Sequence, residues 1–152
     1  MNKILIIMGL CLLLSNTSCE SKKEEKEIFE KLLYFNFDKI QKQYYLKYKK
    51  TEDKERIAIL DLLISNDEKI YIIEIKRSIY DIKEEQLQLY HNLISFILND
   101  KKVKRKLISF FCISNKSEYD SIYFKPKSKF IYFDDIKKLT SKNDLLELNI
   151  FN

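Results

Sequence analysis

Glycine and proline occur once each in this chain of 152 residues. That excludes collagen-like and linker compositions and argues against a fold dominated by loops. Histidine also occurs once, as His91. A Ser-His-Asp or Cys-His enzyme would have to use it, and its sequence neighbours give no sign of such a site. Of three cysteines, Cys11 and Cys19 belong to an apolar amino end and only Cys112 lies in the body. No disulfide framework or cysteine-rich metal site is therefore available to the body, and Cys112, inside "KLISFFCIS", reads as a buried free thiol. Charge of one sign is not dominant either. Twenty-eight Lys and Arg face 23 Asp and Glu, for a net charge of +5. Such mild basicity suits a polyanionic partner and equally a solvated charged surface. A hydrophobic share of 45% excludes disorder as a whole-chain state, and the length suits one domain with its own core.

The amino end stands apart. Lys3 precedes the apolar run Ile4–Leu14, 11 residues long, where a bilayer-spanning helix needs roughly 20. The run fits the hydrophobic region of a signal peptide. With "LLSNTSC" ending at Cys19 it resembles a bacterial lipoprotein signal, with Asn16 departing from the usual aliphatic residue three places before the cysteine. The resemblance implies residues 1–19 as a signal, Cys19 as the lipidated first residue of the mature chain, 20–26 as a polar tether and 27–152 as the folded domain. The implied location is the cell envelope, membrane-anchored; a cytoplasmic protein with an uncleaved apolar start is the alternative.

In the body, residues 23–48 are read as one helix or two short ones from Ile28, Leu32, Phe35 and Ile40. "RIAILDLLIS" (56–65) and "IYIIEIKRS" (70–78) are read as strands joined by the turn residues "NDEK". Asp81 is a cap candidate for a helix over 82–98 with a stripe at Leu89, Leu93, Phe96 and Ile97. "NDKKVKRK" (99–106) is a basic exposed connection. "LISFFCIS" (107–114) has the continuous hydrophobicity of a strand buried on both faces. "SIYFKPKSKFIYF" (121–133) suggests two short strands, and "DDIKKL" (134–139) a last helix with Asp134 as cap candidate. The expected class is α/β, a mixed sheet with flanking helices.

Three polar residues interrupt these strands. Asp61 sits inside "AILDLLI", and Glu74 and Lys76 inside "YIIEIKRS". Side chains two apart share a strand face, so Glu74 and Lys76 point the same way as Ile70 and Ile72. If the two strands form a hairpin, Asp61 comes close to Glu74, although sequence alone does not fix the register. Two carboxyl groups side by side repel each other when ionised and rise in pKa, which a divalent cation relieves. Mg²⁺ prefers hard oxygen ligands, often one or two carboxylates with water and phosphate.

Asp61, then 12 residues, then Glu74-Ile75-Lys76, followed by Gln86 and Tyr90 one helical turn apart, resembles the PD-(D/E)XK nuclease superfamily, in particular its RecB-like and NucS-like members. The resemblance covers roughly residues 24–115. Leu60 stands where a proline often precedes the Asp. It implies a restriction-endonuclease-like α-β-β-α-β core and hydrolysis of phosphodiester bonds in DNA or RNA. It implies Mg²⁺, or Mn²⁺ in its place, held by Asp61, Glu74 and the Ile75 carbonyl, with Lys76 acting on the nucleophile or the phosphate and Gln86 positioning. The acidic residue that some members supply from the first helix would be Glu27 or Glu30. Lys101, Lys102, Lys104, Arg105 and the Lys125–Lys129 turn are expected phosphate contacts, with Tyr90 and other tyrosines as stacking candidates. The competing class is a catalytically inactive, membrane-anchored binding module on the same scaffold. For the anchor, radiolabelled palmitate should mark the wild-type chain in a bacterial host and leave Cys19→Ser unmarked; an unlabelled wild-type chain contradicts lipidation.

Overall fold

The computed structural model describes residues 4–8, 20–34, 39–50, 54–117 and 126–138. Six strands form one mixed sheet in the order of the chain: β1 (Ile4–Met8), β2 (Lys39–Lys50), β3 (Glu55–Ser65), β4 (Lys69–Lys76), β5 (Lys106–Ile113) and β6 (Phe130–Tyr132). The β1–β2, β2–β3 and β3–β4 pairs are antiparallel, and β4–β5 and β5–β6 are parallel. Helix α1 (Glu20–Tyr34) precedes β2, α2 (Glu84–Asp100) links β4 to β5, and α3 (Phe133–Lys137) follows β6. The result is a mixed α/β fold. Ile28 and Leu32 of α1 and Phe133 and Ile136 of α3 pack with Leu62, Ile64, Tyr71, Ile73 and Phe110 in one buried cluster. Leu87, Tyr90, Leu93 and Ile94 of α2 pack with Leu46, Leu60, Ile72 and Phe111 in another.

The β3–β4 hairpin follows from its turn. Asn66 Oδ1 accepts from the N–H of Glu68 at 2.9 Å and of Lys69 at 2.7 Å, in the manner of an Asx turn. β5 lies between two parallel neighbours and buries Phe110–Ile113 completely or nearly so, as its unbroken apolar run requires.

Five local readings are corrected. Residues 39–50 are a strand, not a continuation of the first helix. Tyr44, Leu46 and Tyr48 are buried while Tyr45, Lys47 and Lys49 are less so, a period of two that pairing with β3 exploits. The stretch 20–26, expected as a tether, is helical within α1. Helix α2 begins at Glu84, and Asp81 belongs to a 3-10 turn (Ile79–Asp81) whose first residues are held by Ser78 Oγ accepting from Tyr80 N–H. Its buried stripe is Leu87, Tyr90, Leu93 and Ile94, with Phe96 44% exposed. Asp134 sits in the first turn of α3 rather than at its cap.

Part of the expected leader, Ile4–Met8, lies along β2 from Lys50 to Leu46. Cys19, Lys125 and the proposed strand 121–124 lie outside the described residues. No described helix is long and apolar enough to cross a membrane. Phe111 is fully buried between α2 and the sheet, so Phe111→Ala should destabilise the fold by about 3–5 kcal/mol, read as a lowered urea midpoint; an unchanged midpoint contradicts this core.

Candidate functional site

The β3–β4 ladder runs from Ser65↔Ile70 to Leu62↔Ile73 and stops there. One step further, Asp61 faces Glu74, and main-chain pairing gives way to side chains. Asp61 N–H donates to Glu74 Oε1 at 2.9 Å, and Ile75 N–H donates to Asp61 Oδ2 at 2.8 Å. Each carboxyl group thus satisfies a main-chain donor of the opposite strand.

The same level is irregular on the other flank. Lys42 pairs with Leu62 and Tyr44 with Leu60, and Gln43 falls between them, opposite Asp61. Its φ is 53°, the left-handed region that costs a non-glycine residue roughly 1–2 kcal/mol. Ile40, Leu62 and Ile64 pack on the α1 side, while Tyr44, Leu46, Ala58 and Leu60 pack on the α2 side. All are even-numbered, and a regular strand would keep them on one face. Both strands therefore exchange faces at Gln43 and Asp61, and this twist opens the ladder where the carboxyl groups meet.

Glu74 is 2% exposed. Burial, then the neighbouring Asp61 charge, pushes its pKa up to about 9; burial raises Asp61 as well, against the opposing pull of the Ile75 N–H. The Lys76 charge lowers both carboxyl groups, though less than burial raises them. Lys76 Nζ donates to Gln86 Oε1 at 3.0 Å, and Gln86 Nε2 donates to Tyr90 Oη at 3.0 Å. Sequence spacing thus brings Asp61, Glu74, Lys76, Gln86 and Tyr90 to one locality. Tyr90 is 6% exposed and its phenol pKa is raised, first by burial and then by Glu74. It serves the core and the Gln86 amide rather than an outer stacking surface.

Of the expected first-helix carboxylates, Glu30 faces outward, and Glu27 lines a small hollow with Arg77 and Ser114 at the end of β4. Glu30 is exposed and 3.9 Å from Lys26. Glu25 is the buried one, 6% exposed, and accepts from Gln43 Nε2 at 2.9 Å. The missed signal was its spacing: positions 25, 28 and 32 share a helical face, and Ile28 and Leu32 are core.

The basic loop is elsewhere. Lys101, Lys102, Lys104 and Arg105 are exposed, but β5 begins beside Lys69 and reaches Lys76 only at Ile113. That seven-residue rise, at about 3.3 Å each, puts the loop roughly 23 Å along the sheet from Lys76. These four residues are not neighbours of the carboxyl pair.

Among the described residues no group of three or more His, Cys, Asp or Glu side chains gathers as a metal site. The oxygen donors available at the opening are the Asp61 and Glu74 carboxyl groups and the Ile75 carbonyl.

No protein-family model matches the sequence, and no curated protein matches it. A crystal structure of protein VC1899 from Vibrio cholerae is similar to this chain with a TM-score of 0.48 and 16% identity. The match spans 74% of this chain and 30% of that one.

The raised carboxyl groups have a measurable consequence. A folded-state pKa above the unfolded value stabilises below the unfolded pKa, and that contribution is lost as pH rises through the folded pKa. With Glu74 moving from 4.5 to about 9, the urea midpoint in chelator should fall as pH is raised from 5 to 9. Glu74→Gln should flatten that slope; an equally steep slope in the variant contradicts the assignment.

Proposed function

We propose that the chain is a metal-dependent phosphodiesterase acting on nucleic acid, of the PD-(D/E)XK type, with a restriction-endonuclease-like core. The observation that carries this reading is the meeting of Asp61 and Glu74 at the opened ladder, with the Lys76 ammonium close to both and held by Gln86. The strand–strand–helix–strand run from β3 through β4 and α2 to β5 supports it further, with β2 as one strand more between α1 and β3 than the expected α-β-β-α-β order.

The donor set fits a hard cation. Each carboxyl group commits one oxygen to a main-chain N–H and has a second, and Mg²⁺ commonly takes one or two carboxylates and keeps several waters. Asp61, Glu74 and the Ile75 carbonyl would hold it. Bound there, it would supply Lewis acidity toward the phosphate and lower the pKa of a water.

The chain's own residues do the rest. Without a cation the Glu74 carboxyl keeps its proton at neutral pH, so occupancy requires that proton to leave. Lys76 holds the attacking water or balances charge growing on the phosphate oxygens. Gln86 fixes the ammonium through its carbonyl oxygen, and Tyr90 takes the amide N–H so that the carbonyl faces Lys76. Water gives up a proton to solvent and attacks phosphorus, and the bond from phosphorus to the leaving sugar oxygen breaks as that oxygen takes up a proton from solvent.

Plasmid nicking in Mg²⁺ tests the reading. Lys76→Ala should lose about 100-fold or more of the rate, and Gln86→Ala less. Equal trace nicking by wild type and Lys76→Ala would overturn catalysis and favour the inactive, anchored binding module.

A further inference from the structure

A hollow of about 910 Å³ lies between α2, the first half of β5, the outer parts of β2 and β3, and the turn before β6. Asp61, Glu74, Lys76, Gln86 and Tyr90 do not line it. The chain's one histidine does: His91 Nδ1 on α2 stands 2.6 Å from Ser109 Oγ on β5, and both residues line the hollow. At that distance one of the two groups donates a hydrogen bond to the other. The proposed phosphodiester chemistry makes no use of this pair.

The wall is unevenly charged. Five Lys and Arg residues line it against two glutamates. One of these, Glu84, is occupied: its Oε1 accepts the main-chain N–H groups of Lys127 and Ser128. That contact pins the turn carrying Lys127 and Lys129 against α2, while Lys106 enters from the start of β5 and Arg56 from β3. Between these cations the lining is apolar, at Tyr48, Leu87 and Leu107. The volume is well beyond that of a lone inorganic anion and lies in the range of pockets that enclose small organic ligands, about 300–1,000 Å³. Converging cations recognise a multiply charged anion through charge-assisted hydrogen bonds. Neutral donors such as a hydroxyl and an uncharged imidazole suit phosphate oxygens, and burial holds the His91 pKa below its usual value.

We propose that this hollow binds a nucleoside phosphate, with the phosphate among Lys106, Lys127 and Lys129 beside the His91–Ser109 pair and the nucleoside against Leu87, Leu107 and Tyr48. The ligand is either a free nucleotide or the phosphorylated end of a strand. Binding does not require the carboxyl pair to be catalytic.

His91 is the sole histidine, so its ring proton signals in the NMR spectrum of the full chain report on the hollow alone. The titrants, in chelator and without metal, are thymidine 5′-monophosphate, the 5′-phosphorylated thymidine dinucleotide, the same dinucleotide lacking the terminal phosphate, and a hexa-aspartate peptide. At least one phosphorylated titrant should shift the His91 signals saturably, about tenfold more tightly than the unphosphorylated dinucleotide or the peptide. Saturation by the monophosphate identifies a free nucleotide as sufficient; saturation by the phosphorylated dinucleotide alone identifies a strand end. The double variant Lys106→Ala, Lys129→Ala should weaken binding about tenfold or more, with the His91 signal of the ligand-free protein retained as the sign that it folds. Absence of a saturable shift with both phosphorylated titrants overturns the proposal, as does equal affinity for the peptide or the unphosphorylated dinucleotide. Because no metal is present, the result is separable from that of the nicking assay.

Discussion

Where β3 and β4 part, the main-chain N–H groups of Asp61 and Ile75 lose the partners that a continued ladder would give them. Left buried and unpaired, each would cost about 1–3 kcal/mol. The carboxyl groups of Glu74 and Asp61 take their place. The two strands stay joined at this level by acidic side chains rather than by backbone alone. An apolar residue at either position would leave a buried donor unanswered, so the acidic pair belongs to the fold before it belongs to any chemistry. Gln43 completes the level from β2 with a left-handed backbone, and Glu25 of α1 accepts from its amide.

That arrangement brings two acidic groups together out of water. Burial and mutual repulsion both favour the protonated form, which is why Glu74 titrates near 9. The nearby Lys76 ammonium relieves this only in part and is itself held by Gln86 and, behind it, Tyr90. In the proposed function a divalent cation takes the place of the Glu74 proton. The proposed hydrolysis rests on that exchange. The basic loop after α2 sits at the far end of the β4–β5 pair, away from the acidic groups.

Much of this could be read in the residues. Ile70–Ile73 and Ala58–Ile64 are β-branched and apolar enough to be strands, and "NDEK" marks the turn that sets Asp61 against Glu74. The i, i+4 spacing of Gln86 and Tyr90 put both on the helix face that Lys76 meets. What stayed hidden depends on tertiary structure. No local signal marks Gln43 as left-handed, because the distortion arises from three strands twisting past one another. Glu25 sits in a run of similar acidic and basic residues, and only its phase with Ile28 and Leu32 distinguishes it from Glu27 and Glu30. Residues 39–48 carry apolar side chains compatible with a helix until β3 offers a partner. The distance between the basic loop and Lys76 follows from the parallel pairing of β4 with β5, which composition does not encode.

Crystals grown in Mn²⁺ and measured just above and just below the manganese absorption edge decide whether the acidic pair holds a cation, because only the ion's anomalous signal changes across the edge. The account predicts one strong peak at the opened ladder, bonded to an Asp61 oxygen and a Glu74 oxygen at about 2.0–2.3 Å. A structure whose acidic pair keeps its shared environment with no anomalous peak, or whose only peak lies away from both residues, would contradict it.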